Sequence, residues 1–512
     1  MKELEKTKNN MYLTILYRAV NYLCWFLFAT AFTFFIRDEI SDWKIFGLIL
    51  ALIIIYACGN FMKYLYREIA DKNYYNIKHG VELHYLKKSI NLDFKSIASL
   101  DLDILSNDIL KVSYLYTKFI YNIGEYLIPG FIGVIIIFIT LVNVSWLIAV
   151  IVLLLMIALV YYKYTKLDDN IESTSKNNLL KDFISKLFTI KTLNIKDYVV
   201  NYFDNDTNNS IDLKKEEESD IFFNNGLLGI ISIVLLSICL FVNVTITKLG
   251  LIIFFLLMAF KMQKILYHIA SAIKNGILLI KEKDRLDNKF IEDEKNIINN
   301  WKKIDILNGV VKYESGISIK IPNFTINSSD TISIMGKSGQ GKSTVLNVLC
   351  GISNLDEGNI LIDGNCSNDL VDAVYITNSP KLFNISLKDN LTLGKEVSDE
   401  ELLSYFKETN LLTWFNSLEK GFDTICDNSF ESKVLLKLSL IRGIIMNKSI
   451  YFLDCPTEGM DTDTEKIVVS IIKKHLKKKT LLVVSDSTIL TNVCKKHYFI
   501  KDHTLLENEP LL

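Results

Sequence analysis

With 512 residues, 50% of them hydrophobic, and a formal net charge of −1, the chain has the length for two or three domains and gives no basis for a nucleic-acid partner. Its eight cysteines form no CxxC pair and have no histidines at ligand spacing, which argues against a built metal centre and predicts reduced thiols, most of them small buried residues.

The apolar residues crowd into the first 270 positions. Runs close to the roughly 20 residues that cross a bilayer centre on Ala19–Ile36, Ile45–Leu65, Ile120–Val142, Trp146–Tyr162, Phe222–Val242 and Leu249–Tyr267. They predict an α-helical membrane domain of six spans over residues 1–285, surrounded by lipid. A cleaved signal peptide is the alternative for the first run, but no small-residue cleavage site follows it and the second run begins after a short polar loop. Lys2, Lys6, Lys8 and Arg18 precede the first span. Arg67, Lys72, Lys78, Lys87, Lys88 and Lys95 lie in the long loop over residues 67–118, and the loop over 163–221 is equally rich in lysine. Positive residues stay on the cytoplasmic side, so the N-terminus, both long loops and everything after residue 285 are expected to be cytoplasmic. Arg37–Lys44, Asn143–Ser145 and Asn243–Lys248 are left as short outer connections. Within the second long loop, Leu179, Leu180, Phe183, Ile184, Leu187 and Phe188 form one stripe at helical spacing, which predicts helices continuing into the cytosol or, alternatively, a solvated amphipathic hairpin.

Residues 286–302 read as a linker. From 303 to 512 strands and helices alternate, with strands expected at Thr331–Met335, Asn359–Ile362, Ala373–Ile376, Ser449–Asp454, Thr480–Ser485 and His497–Ile500, the pattern of an α/β nucleotide-binding domain. Between the strand Thr331–Met335 and a helix beginning at Lys342 stand Gly336, Lys337, Ser338, Gly339, Gln340, Gly341, Lys342, Ser343 and Thr344, a complete phosphate-binding loop in the strand-to-helix setting that the motif requires. Glycines free the backbone N–H groups to wrap phosphates, the helix N-terminus adds its positive end, Lys342 is placed to reach the outer phosphates, and the Ser343 hydroxyl to ligate Mg²⁺. The apolar strand ending in Asp454 supplies a second oxygen for the metal shell. The densest basic run, Lys473–Lys479, reads as the exposed end of a helix.

These residues resemble the ATP-binding cassette (ABC) transporters, in particular the exporter type in which six spans and one cassette share a polypeptide and two chains pair. The resemblance covers nearly the whole length. It rests on the phosphate loop, on Asp454 followed by Pro456-Thr457, on Glu458-Gly459-Met460-Asp461 where the family has a dimer-contacting loop, on Gly358–Gly364, and on Ser379–Phe383 preceding Asn390. Leu187–Thr192 is similar to the family's second cytoplasmic loop. The resemblance implies ATP and Mg²⁺ as ligands, Tyr313 as the aromatic stacking on adenine, with a core strand tyrosine as its alternative, and Ser343, Asp454 and Asn378 around the metal.

Departures from the family pattern fall on the hydrolytic residues. Cys455 stands where the family has a glutamate that polarises the attacking water, Asp486 where it has a switch histidine, and Asn378 where it has a glutamine one methylene longer. A thiol with a reference pKa near 8.5 is a poor substitute for that carboxylate, and an anion at 486 opposes charge at the terminal phosphate. Phe430–Val434, anchored on Arg442, aligns with the signature segment that reaches the partner's nucleotide, but two glycines are lost, and Glu431 stands where a serine hydroxyl belongs. Retained binding residues with altered hydrolytic ones imply the degenerate half of a heterodimeric exporter at a bacterial cell membrane, binding Mg-ATP with little or no hydrolysis alone, with a small peptide as first guess for the cargo. A weakly active homodimeric exporter and a non-transporting, ATP-binding membrane scaffold or immunity protein are the rivals.

Overall fold

A computed structural model describes residues 42–127, 178–213, 268–290 and 297–507, with isolated positions before 25 and between 146 and 165 and short gaps at 314, 368–369 and 427–429. The runs Phe222–Val242 and Leu249–Tyr267 lie outside the described residues, as does most of Ala19–Ile36, Ile120–Val142 and Trp146–Tyr162. Ile45–Leu65 falls in the first half of a 50-residue helix, α1 (Asp42–Asn91). Many side chains along that half are also outside the described residues, and among the described residues no helix is long and apolar enough to cross a membrane. The chain divides into two compact units.

One unit contains most of α1, most of α2 (Leu102–Asn122) and a helix over residues 268–287. Gly276 permits a close approach there, since a Cβ at that position would lie 2.7 Å from the Phe119 ring. Lys111 Nζ donates to Glu282 at 2.8 Å, and Lys289 Nζ to Asp108 at 2.8 Å.

The other unit is built on a ten-stranded sheet. One half of it is made of β1 (Thr331–Met335), β2 (Ala373–Ile376), β3 (Ile450–Asp454), β4 (Thr480–Val484) and β5 (Lys496–Lys501), in the order β5-β1-β4-β3-β2 and all parallel. Parallel strands are covered on both faces, so they read as uninterrupted apolar runs. All five residues of β4 are buried accordingly. Beside this core an antiparallel layer comprises Lys303–Lys312, Ser318–Asn327, Glu357–Ile362 and Asn365–Cys366. The strands Lys303–Lys312 and Ser318–Asn327 were not expected. The pairing of the first with Glu357–Ile362 shifts register between Leu307 and Val310, at Asn308-Gly309, and Pro322 lies within the second.

The same unit includes short helices from the two long loops of the first half. Leu180, Phe183, Ile184 and Leu187 are all fully buried, but the stripe they form is carried by two helices, Asn178–Ser185 and Leu187–Leu193, separated at Lys186. Phe183 packs edge-on against Phe383 with centroids 5.8 Å apart, and Asp182 Oδ2 accepts from the Asn384 N–H at 2.7 Å. Asn390 ties the Phe383 turn together from a fully buried position, accepting from Phe383 N–H at 2.8 Å and donating to the Phe383, Ile385 and Ser386 carbonyls.

One expectation fails. Among the seven described cysteines, all free, only Cys24, Cys426 and Cys494 are buried. Cys366 is exposed because Asn365–Cys366 is the edge strand of the sheet, and Cys58 is exposed on α1.

Candidate nucleotide site

Strands β1, β4 and β3 are adjacent and parallel, so the segments leaving their C-terminal ends converge at one edge of the sheet. In open α/β sheets ligands bind beyond that edge. Gly336–Gly341 leaves β1, Cys455 follows β3, and Asp486 leaves β4.

The loop's glycines are required by geometry. Gly336 has φ +143°, and a Cβ there would lie 2.6 Å from the Ile500 carbonyl oxygen on β5. Gly341, at φ +107°, caps the N-terminus of α3 (Lys342–Leu349), and its Cβ would lie 2.6 Å from Ile319. The loop is also propped from the β5 hairpin turn, where His503 N–H donates to Gln340 Oε1 at 3.2 Å and the His503 ring meets the Gln340 carbonyl at 3.2 Å.

The polar side chains meet directly. Ser343 Oγ donates to Asp454 Oδ1 at 3.0 Å. Lys342, nearly buried, donates to the Gly336 carbonyl and to both oxygens of Asp486, at 2.7 and 2.9 Å. Tyr375 on β2 has its hydroxyl 3.2 Å from Asp454 Oδ2 and 3.2 Å from Asn347 Oδ1, and burial, then Asp454, raises it far above the ordinary tyrosine range, so it stays a donor. Thr344 Oγ1 lies 2.8 Å from the Tyr313 hydroxyl. Tyr313 is 44% exposed, which does not suit a core strand tyrosine. Lys337 and Ser338 form the outer part of the loop, and Gly339 has open space where a Cβ would stand.

Cys455 follows Asp454 in the left-handed region at φ +50°, its N–H donating to the Val484 carbonyl at 2.9 Å. Burial, followed by the Asp454 and Glu458 carboxylates, pushes its thiol up to about 11. Asn378 is turned to Glu458, donating to Oε2 at 3.2 Å, and among the described contacts it reaches neither Ser343 nor Asp454. The contacts of Glu458, Tyr375 and His503 had no sequence signal, because each depends on how a turn or a neighbouring strand is placed.

The signature-like segment opens α4 (Ser432–Met446). Glu431 is its N-cap residue but makes no side-chain cap bond. Phe430 stands edge-on to Trp414, with centroids 5.2 Å apart, and Lys433 pairs with Asp461 at 3.4 Å. Arg442 is buried and donates to the Lys381 carbonyl at 3.2 and 3.3 Å.

The donor set suits a metal-bound polyphosphate. Gly336 and Gly341 hold the loop in a backbone shape, packed on Ile500 and Ile319, that a Cβ would not allow; Lys342 faces the loop, and Ser343 with Asp454 offers hard oxygens of the kind Mg²⁺ takes when phosphates and water complete its shell. Among the described residues no cluster of three His, Cys, Asp or Glu could hold a metal ion by itself.

Sheet, loop and carboxylate together define a P-loop nucleotide-binding cassette. The ABC transporter family profile matches residues 319–458. Among curated proteins, the glutathione/L-cysteine transport system ATP-binding/permease protein CydD of Bacillus subtilis is 29% identical over 189 residues, 35% of this chain and 33% of that protein. The ATP-dependent lipid A-core flippase of Haemophilus influenzae is 26% identical over 174 residues, 32% of this chain and 30% of that protein. The match thus spans about a third of the length of these relatives. A solved bacterial Atm1-family ABC exporter with ATP bound shares the fold at a TM-score of 0.62 and 15% identity, covering 98% of this chain and 95% of that one. Residues 319–458 thus form an ABC transporter domain, a P-loop cassette preceded in the chain by a helical part.

Proposed function

We propose that this chain is one subunit of a membrane-embedded ABC exporter, with a cytoplasmic N-terminus and cassette, and that it is the weakly hydrolysing or non-hydrolysing half of a heterodimer. Its membrane part would extend through residue 285 and its cassette from residue 303 onward. The observation that carries the asymmetry is the protonated, half-buried Cys455 thiol beside an assembled Ser343–Asp454 pair.

Within this cassette the loop N–H groups and Lys342 would hold the phosphates of ATP, Ser343 and Asp454 would hold Mg²⁺, and Tyr375 would fix the Asp454 carboxylate in place. Tyr313, hydrogen-bonded to Thr344, would stack on the adenine ring. A bound Mg-ATP supplies negative charge and metal coordination that draw two cassettes together, and its cleavage needs a base able to take or orient a proton from water. Cys455 offers a neutral S–H there. The chain therefore binds and closes, and resetting falls to the partner's site. ATP favours the closed pair by its differential affinity for that state. The names of the relatives range from glutathione/L-cysteine transport to a lipid A-core flippase and multidrug resistance, so they do not narrow the cargo, and a small peptide is kept as first candidate.

Nucleotide retention by the purified chain tests the binding half: wild type retains Mg-ATP and Lys342→Ala loses it, and equal retention removes the assignment. Copurification from native membranes, read by mass spectrometry, tests the pairing. A six-span partner with a glutamate after its own strand-ending aspartate is expected, and its absence returns the scaffold alternative.

A further inference from the structure

We infer that Asp486 is a built-in competitor for the terminal phosphate, occupying the Lys342 ammonium and setting the site to discriminate little between a nucleoside triphosphate and a diphosphate. The inference rests on the nucleotide-binding role of the loop and concerns how that loop selects among nucleotides.

The Asp486 carboxylate meets the ammonium with both oxygens, at 2.7 and 2.9 Å. Placement of this carboxylate is fixed by the backbone. Asp486 leaves β4 two residues beyond Val484, which is in register with Ile334 of β1. On either side of it, Ser485 N–H reaches the Ile334 carbonyl at 3.4 Å and Ser487 N–H donates to Ser485 Oγ at 3.1 Å. An aspartate has only two side-chain torsions, so a turn held this way delivers the carboxylate to the lysine with little entropy to lose.

The two partners differ in exposure. Lys342 has 9% of its side chain accessible, whereas Asp486 has 64%. A nearly buried ammonium needs a counter-anion, and at this position the available ones are the protein's carboxylate and a ligand's phosphate. The wider field points the same way. Asp454, Glu458 and Asp486 all raise the Cys455 thiol while Lys342 alone lowers it, so three carboxylates and one ammonium act on the same place. An incoming terminal phosphate must displace Asp486 from Lys342 and then remain near it. The β-phosphate shares Lys342 but is held by the loop's backbone N–H groups as well, so it loses less to that exchange.

Binding of ATP and of ADP, each with Mg²⁺, to the purified full chain by isothermal titration separates the possibilities. Wild type should bind the two within about three-fold of each other. Asp486→Asn keeps size and an acceptor oxygen but removes the charge, and should tighten ATP about five- to ten-fold, in line with a pair that is half exposed, while changing ADP less than two-fold. Asp486→His should move in the same direction, which guards against a local defect in one variant. If either nucleotide binds but ATP is unchanged, weakened, or tightened no more than ADP, the competition is refuted while the nucleotide site stands. If no variant binds either nucleotide, and Lys342→Ala matches wild type, the nucleotide assignment itself fails and takes this inference with it.

Discussion

Restoring a carboxylate at position 455 should not by itself restore hydrolysis. At pH 7 a thiol held near 11 is ionised in about one molecule in 10⁴, so Cys455 has almost no basic form to offer. A glutamate there would be ionised, and a positioned general base typically contributes about 10²–10⁴-fold. Yet Asp454, Glu458 and Asp486 already act on this position and Lys342 is committed to Asp486. A fourth carboxylate among three raises its own pKa and repels the phosphate it should serve. Cys455→Glu alone is therefore expected to raise the rate less than about ten-fold, and Cys455→Glu with Asp486→His by about 10²-fold or more. Single-turnover release of phosphate from radiolabelled ATP, with purified full chain in excess, measures both. Full activity from the single change would refute the role given to the surrounding carboxylates. Robust wild-type turnover lost in Cys455→Ala would refute the inert thiol.

Other outcomes follow from the same contacts. Gly336→Ala should remove nucleotide binding, because its Cβ meets the Ile500 carbonyl at 2.6 Å, and a nucleotide titration of the folded variant would show it. Asn390→Ala leaves the buried Phe383 N–H without its partner and should cost about 1–3 kcal/mol, seen as a lower denaturant midpoint for the cassette transition of the full chain. Stability should fall at alkaline pH. The Cys455 and Cys494 thiols have folded-state values of about 11 and about 12 against an ordinary 9.0, so their protonated forms favour the fold below pH 9 and that contribution is lost as pH rises through 11 to 12. Melting temperatures across pH 8 to 11 should decline less in a Cys455→Ala, Cys494→Ala double variant than in wild type.

The parallel core was legible in the sequence because burial on both faces leaves uninterrupted apolar runs. Thr331–Met335 and Ala373–Ile376 appear within the expected limits, and Ile450–Asp454 and Thr480–Val484 within one residue. Of the antiparallel layer only Glu357–Ile362 was, from Asn359 onward, whereas Lys303–Lys312 and Ser318–Asn327 mix buried with exposed residues and carry Asn308-Gly309 and Pro322 within them. A continuous apolar stripe likewise hid the break at Lys186, because both short helices bury the same kinds of residue. At the site, the phosphate loop and Asp454 were readable from local order, being defined by strand, turn and helix in succession. The Lys342–Asp486 pair spans 144 residues, and no spacing rule reports a contact made by neighbouring strands so distant in sequence.

Loop and support are also far apart in the order of synthesis. β1 is flanked by β4 and β5, and His503, which holds Gln340, comes 163 residues after it. At roughly 5–20 residues per second the phosphate loop leaves the ribosome about 10–30 s before its second flanking strand and its prop are made. For most of that interval, until β4 is made, β1 is an apolar strand with both edges unpaired. A nascent cassette stalled before residue 496 should therefore fail to retain nucleotide although its loop is complete, and should draw chaperones to β1.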